Sequence, residues 1–476
     1  MNWLALTPEY ALIGGLLINI VICAIKDSGR LVHQAFGLSL AVAWLLCVFD
    51  VQAVQAAGLL ITESMRALQA IVLLAAGLFW YLSQNQMLDH LYRPSNILLI
   101  QSSLIGLIML MIAQDLLNIY IALELMSLPL YAMAAIRIWD KASLEGALKY
   151  FVTGAMASAL LLLGFALLYA ITGSIDLGTI GLALKEKAGI KLFSPDMWML
   201  LGGLSVAFMV AGCSFKLGLF PFHSWMPDVY QSARIDVVLW VATLPKIAIA
   251  VMMLKLIIAT SSFIMYWQSM LLLVGLVSVA FGNLMALAQN NYRRLMAYSS
   301  IAHMGFFALA MYVMSPEGMA GGLFYMLVYI LMSFITLGVI LHVDRSEFFE
   351  IGQMRALMSV PQMAVVLMAG IFSLAGIPPF AGFMAKLSIF SSLIQVNNVG
   401  VAIAGILLSV IALGYYLKMV KMMYFKEEET PVIAIRAGRI SMLMLFGLTL
   451  CLLYIGILPN QLMVLTQAVV SQNLFL

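Results

Sequence analysis

Apolar residues run along this chain in long blocks with few charges, separated by short polar intervals. Blocks of about 20 residues fit helices that cross the hydrocarbon core of a membrane. On that reading the sequence predicts about 14 spans: 9–25, 35–49, 67–83, 97–113, 115–136, 145–172, 197–232, 236–258, 266–287, 297–313, 319–342, 358–392, 400–424 and 440–468. The blocks are continuous, whereas a β-barrel would alternate apolar and polar residues. Two blocks, 197–232 and 358–392, are too long for one straight span and carry helix breakers in mid-run. The first holds Gly218, Pro221 and Pro227, and the second holds Gly376, Pro378 and Pro379.

The two interruptions share a pattern. Gly218-Leu-Phe-Pro-Phe222 and Gly376-Ile-Pro-Pro-Phe380 both read G-[LI]-x-P-F. If spans four to eight and nine to thirteen are two copies, the break falls on the fourth span of each. Five is an odd number, so the second copy is inverted in the membrane. Broken helices at matching positions of inverted repeats mark the ion site of transporters. Unwound backbone at that depth is tolerated only where protein or a wet cavity surrounds it. The expected fold is therefore an all-α polytopic membrane protein. Its expected divisions are 1–96, a first five-helix repeat at 97–260, an inverted second repeat at 261–425, and a C-terminal helix in 426–476.

Composition agrees: 64% of the 476 residues are hydrophobic and 9% are charged, against about a quarter charged in soluble domains. The net charge of +3 gives no reason to expect a nucleic-acid partner. Cys23, Cys47, Cys213 and Cys451 all lie in apolar runs with no metal-ligand or disulfide spacing, so no metal site is expected. No Gly-rich nucleotide motif occurs. Met1–Glu9 lacks a basic leader, so the first block is expected to be a retained span.

With both termini on the outer side, the inner connections carry fifteen basic residues. The outer ones carry four, Arg66, Lys185, Lys187 and Lys191. This asymmetry follows the positive-inside rule, and the Lys-rich loop at 173–196 is its one violation. The basic residues left within spans are Lys149, Lys216, Lys246, Lys255 and Lys386, with no arginine among them. Lysine, unlike arginine, can give up its proton in a protein. Glu124 is the one acid clearly in mid-span, and His303 lies six residues into the tenth span.

Glu124 is nine residues into its span, about 13 Å deep at 1.5 Å per residue, and Lys246 is at similar depth. Charges there cost at least about 2.5 kcal/mol each. One glutamate cannot pair several lysines, so some must be neutral, hydrated or able to alternate. That is the chemistry of a proton relay, with Glu124, Lys216, Lys246 and Lys386 as its leading members. Lys255, near a span end, is expected to snorkel outward and to be close to silent on replacement. Lys149 is open to snorkelling or to pairing with Glu145. His303 is open to two readings, a shuttle or a neutral histidine bonded to a neighbour. His223 could line an inner half-channel or cap freed backbone. Glu427-Glu428-Glu429 reads as a solvated loop.

Several of these stretches resemble one family. Glu124-Leu-Met-Ser-Leu-Pro-Leu-Tyr131 looks like the fifth helix of the antiporter-like subunits of respiratory complex I, and Phe215-Lys216 to Asp228 looks like their broken seventh helix. Leu244-Pro-Lys246, Ala297-Tyr-Ser-Ser-Ile-Ala-His303 and Gly376-Ile-Pro-Pro-Phe-Ala-Gly-Phe-Met-Ala-Lys386 resemble the eighth, tenth and twelfth. The form of the Glu124 motif resembles the N branch of that family, and lysine at 386 resembles the N or L branch rather than M. The resemblance implies that Glu124 pairs with Lys216 and modulates its proton affinity. Lys246 would be the central relay, His303 would help bridge the halves, and Lys386 would be the exit-side group. Lys149 would help connect the inner side.

It also implies that NADH, FMN, iron–sulfur clusters and quinone bind in partner subunits, and no cofactor in this chain. The expected partners are membrane subunits of complex I, including subunit M-like and K-like neighbours, together with the bilayer, protons and internal water. The expected location is the bacterial inner membrane. A subunit of a multi-subunit cation/proton antiporter or a membrane-bound hydrogenase shares the same core and is the alternative.

Overall fold

The computed structural model describes residues 6–26, 28–49, 54–56, 58–84, 94–186, 194–343, 349–425, 435 and 438–474. Lys187, Lys191, Arg93, Arg345, Lys426, Arg436 and the acidic run 427–429 lie outside the described residues. The helices in order are α1 (Thr7–Lys26), α2 (Gly29–Phe49), α3 (Glu63–Leu82), α4 (Ser95–Ile112), α5 (Leu116–Ala134), α6 (Lys141–Thr172) and α7 (Leu177–Lys185). Next come α8 (Pro195–Leu217), α9 (Trp225–Ser232), α10 (Ile235–Ala242), α11 (Leu244–Ala259), α12 (Ile264–Leu287), α13 (Tyr292–Tyr312) and α14 (Pro316–Ile340). The chain ends with α15 (Pro361–Ala375), α16 (Ala381–Gln395), α17 (Val399–Tyr424), α18 (Arg439–Ile457) and α19 (Asn460–Leu474). A small antiparallel hairpin, β1 (Val54–Ala56) and β2 (Leu59–Ile61), precedes α3.

Thirteen stretches of helix among the described residues are long and apolar enough to cross a membrane. The shorter apolar helix α15 and α16 occupy the twelfth expected block, 358–392. Local chemistry sets many of the starts. Asp115 accepts the backbone N–H of Asn118, Ser194 that of Met197, and Asn291 that of Arg294, each satisfying a donor that the first turn leaves free.

Three differences from the sequence expectation are the largest. The eighth span is two helices, α10 and α11, separated at Thr243 (φ −118°, ψ −88°). Pro245 removes a backbone donor at that point. The last span also splits, at Leu458 and Pro459, into α18 and α19. The second helix begins at Gly29, six residues earlier than expected.

The breaks in the two long blocks are where the sequence put them. Gly218 ends α8 with φ +78° and Gly376 ends α15 with φ +83°, a left-handed backbone that side chains other than glycine resist. Each connection also contains a cis X–Pro bond, Phe220–Pro221 and Pro378–Pro379.

Burial separates a centre from a periphery. Every residue of Ile235–Ala259 except the partly buried Ile258 is buried, and 94% of the residues in the most apolar 18-residue window of α13 and of α14 are buried. In the corresponding windows of α1 and α17 28% of the residues are buried, and in that of α18 22%. The peripheral helices turn apolar side chains such as Leu17, Leu407 and Leu443 outward, as suits lipid or a partner. The central ones have no solvent face, so each polar group on them must find its partner within the protein.

Candidate functional site

The first cluster forms where α8 breaks. Lys216 is the penultimate residue of α8 and is buried. Its Nζ donates to Ser127 Oγ at 2.9 Å and to Tyr131 Oη at 3.0 Å, and lies 3.8 Å from Glu124 Oε1. Glu124, Ser127 and Tyr131 are three and four residues apart, so α5 presents them on one face. Glu124 also accepts Ser158 Oγ of α6 at 2.5 Å, and its side chain keeps one-fifth of its surface exposed. The freed backbone of the break is served by other groups. Trp225 Nε1 donates to Phe215 O at 3.2 Å, and Phe220 N donates to Ser278 Oγ at 2.9 Å.

The second cluster is central. Lys246 follows the Thr243 break and is buried. Its Nζ donates to Ser300 Oγ of α13 and sits 3.4 Å from Tyr329 Oη of α14. Tyr329 Oη in turn donates to Ser300 Oγ at 2.9 Å. His303, nearly one turn past Ser300, contacts two tyrosines. Its Nδ1 is 2.5 Å from Tyr325 Oη and its Nε2 is 3.0 Å from Tyr416 Oη. Tyr416 Oη also lies 2.6 Å from Ser299 Oγ.

The third cluster surrounds the second break. Lys386 is six residues into α16, and its side chain folds back to the interruption. Nζ donates to Ala375 O at 3.0 Å, the carbonyl immediately before Gly376, and to Ser409 Oγ of α17 at 3.0 Å. It also lies 5.6 Å from the centre of the Phe306 ring.

Lys149 stands apart from these buried groups. Its side chain is nearly half exposed, and it pairs with Glu145 at 2.7 Å and Asp228 at 2.8 Å. Asp228 also accepts Arg294 at 2.9 Å. Together they line an open cavity of about 290 Å³ between α6, α9 and α13. His223 stacks on Phe220, with ring centres 5.4 Å apart. Its Nδ1 has no hydrogen-bond partner among the described residues.

Two expectations about charge fail. Lys255 does not snorkel. It is 3% exposed, and its Nζ donates to Met111 O and Ala113 O at 2.8 Å each. The end of α4, with carbonyls that its own helix leaves free, docks there and captures the ammonium. Nor are the in-span cations all lysine. Arg66 lies in α3 and is 1% exposed, pairing with Glu9 at 2.8 Å. Arg293 opens α13, fully buried, and donates to Tyr230 O and Ala233 O.

Attention to charge missed the hydroxyls. Ser127, Tyr131, Ser300, Tyr325, Tyr329 and Tyr416 hold the charged groups and the histidine. The usable signal was spacing, since Tyr325 and Tyr329, like Ser299 and His303, stand four residues apart on one helical face.

With this geometry in hand, known proteins give a consistent placement. The family described as “NADH:quinone oxidoreductase/Mrp antiporter, TM” matches residues 113–412. NADH-quinone oxidoreductase subunit N of Thiobacillus denitrificans is 35% identical over 461 residues, covering 94% of this chain and 93% of its own. The Coxiella burnetii subunit N is 37% identical over 369 residues, covering 76% and 75%. A chain of respiratory complex I from Thermus thermophilus with bound aureothin superposes with a TM-score of 0.82 at 29% identity, covering 96% of this chain and 98% of that one. A chain of the Mrp complex from Dietzia sp. superposes at 0.85 with 19% identity, covering 100% and 98%, which shows the shared fold. The chain belongs to the NADH-quinone oxidoreductase subunit N family.

Proposed function

We propose that this chain is a proton-translocating membrane-arm subunit of an NADH:quinone oxidoreductase. Electron transfer from NADH to quinone takes place in partner subunits, which also carry the FMN, iron–sulfur clusters and quinone. This chain moves protons through Glu124, Lys216, Lys246, His303 and Lys386, with Lys149 at the inner mouth beside Asp228. The observation that carries the reading is the contact set of Lys246. Lys246 is 1% exposed, and its ammonium meets neutral hydroxyls of Ser300 and Tyr329. A group that gains and loses a proton needs partners that serve both states, and a hydroxyl both donates and accepts.

The matching breaks at Gly218 and Gly376 support two inverted repeats, 97–260 and 261–425, flanked by 1–96 and by 426–476. The distribution of basic residues supports an inner-membrane location with both termini on the outer side. Subunit M-like and K-like chains are the neighbours this reading calls for, and the weakly buried outer helices are surfaces for them.

Purification of the tagged chain in mild detergent tests this assignment. Co-purifying NADH-oxidising and iron–sulfur subunits are expected. Recovery with other antiporter subunits alone would overturn it.

A further inference from the structure

We propose that Tyr325 and Tyr416 are themselves relay groups, and that with His303 they form a Tyr–His–Tyr proton wire joining the Lys246 side of the molecule to the Lys386 side. The proposal rests on the relay reading above and adds the atoms through which the central step passes.

Three helices aim one polar face each at the same point. On α13, Ser299 and His303 are four residues apart, and on α14 so are Tyr325 and Tyr329. On α17, Ser409 and Tyr416 are seven apart, which is two turns on one face. Tyr329 and Ser300 contact Lys246, while Ser409 contacts Lys386. Between these pairs lies the imidazole, with its Nδ1 on Tyr325 and its Nε2 on Tyr416. All three side chains are buried.

A neutral imidazole carries one N–H and one bare nitrogen. If Nε2 holds the proton, it donates to Tyr416 Oη, Tyr416 donates to Ser299 Oγ, and Tyr325 donates to Nδ1. If Nδ1 holds it, the hydroxyls rotate and the same contacts are kept. The same heavy-atom contacts therefore serve either tautomer, and in the second the Tyr325 hydroxyl proton turns to internal water.

The transfer balances atom by atom. A proton reaches Tyr325 Oη from the Lys246 side as that hydroxyl passes its own proton to Nδ1. The Nε2 proton passes to Tyr416 Oη, and the proton of Tyr416 leaves through Ser299 or water. Each hydroxyl oxygen forms one bond to hydrogen and loses one, Nδ1 gains a proton and Nε2 gives one up, so the ring changes tautomer as a single positive charge crosses. The ring resets when Nδ1 gives its proton to internal water and Nε2 takes one back. Two gaps, one between the Ser300–Tyr329 pair and Tyr325 and one from Tyr416 to Ser409, about 10 Å along α17 at 1.5 Å per residue, fall to internal water.

The test uses the assembled complex in proteoliposomes with NADH as reductant. Tyr416→Phe and Tyr325→Phe keep the ring and remove only the hydroxyl, and each is expected to lower proton pumping several-fold with assembly retained. Site-specific 2,3-difluorotyrosine at 416 keeps the hydrogen bonds but acidifies the phenol. It is expected to move the alkaline limb of the turnover–pH profile to lower pH, a response a purely structural hydroxyl does not give. Normal pumping in both phenylalanine variants, with Lys246→Ala impaired beside them, overturns the wire and leaves the relay reading standing. Normal pumping in Lys246→Ala as well overturns both. If a phenylalanine variant does not assemble, an unmoved pH profile with difluorotyrosine overturns the wire.

Discussion

The two broken helices share a sequence pattern, a left-handed glycine and a nearby lysine, yet they use the lysine in different ways. Lys216 precedes its break and turns away from it, toward Ser127, Tyr131 and Glu124 on α5. Lys386 follows its break and turns back onto it, donating to Ala375 O. At the first site Phe215 O accepts both the Gly218 N–H and Trp225 Nε1, and the lysine is left to interact with a carboxylate. At the second site the lysine is itself the partner of the broken backbone. Among the described residues no acid forms an ion pair with Lys386, whereas Glu124 lies 3.8 Å from Lys216. A unit charge pair at that range is worth about 4 kcal/mol at an effective dielectric near 20. A shift of Glu124 by a few ångströms therefore changes the energy of a proton on Lys216 by an amount large enough to drive transfer. The second lysine is held by dipoles and has no such lever.

Removing each lysine breaks this comparison most severely. Lys216→Met and Lys386→Met should both lower redox-coupled pumping by about tenfold or more, equivalent to at least about 1.4 kcal/mol. Only Lys386→Met should also destabilise the protein, by about 1–3 kcal/mol, because it leaves Ala375 O unpaired inside the membrane. Pumping assays and thermal melts of the purified complexes separate the two effects. Equal melts for the two variants would contradict the assignment of Lys386 to the backbone.

Glu124→Gln sharpens the difference from the other side. It should lower pumping several-fold while assembly and melting stay near wild type, since the amide retains a hydrogen-bonding group for Ser158. A variant that pumps normally would show that the Glu124 charge does not tune Lys216.

The glycines give the smallest effect. Alanine at either position incurs the left-handed backbone cost of about 1–2 kcal/mol. At Gly376 the added carbon would meet Lys386 Cδ at 3.0 Å and Nζ at 3.2 Å. At Gly218 its nearest neighbour is the flexible end of Met226. Gly376→Ala should therefore reduce pumping further than Gly218→Ala at similar stability, and equal pumping in the two would argue against it.

Much of this arrangement was legible because a charge in an apolar run is conspicuous. Glu124, Lys216, Lys246 and Lys386 stand out by composition, and glycine and proline mark the breaks. The rest was set by packing between distant residues. Lys255 looks like a helix-end lysine until the end of α4 docks against it, more than 140 residues away in sequence. Arg66 reads as a loop cation because Glu9, its partner, is 57 residues earlier. Tyr325 and Tyr416 are ordinary bundle aromatics by sequence, and only the meeting of α13, α14 and α17 puts their hydroxyls on His303. The Thr243 break was masked because the apolar run of the expected span 236–258 continues on both sides of Pro245.

The claim common to both halves is that protons pass through Lys246, between the two broken helices. The most direct measurement is the number of protons pumped per electron by an assembled Lys246→Ala complex in proteoliposomes. The relay predicts a clearly lower ratio with the subunit composition intact. A ratio and a turnover equal to wild type would contradict it.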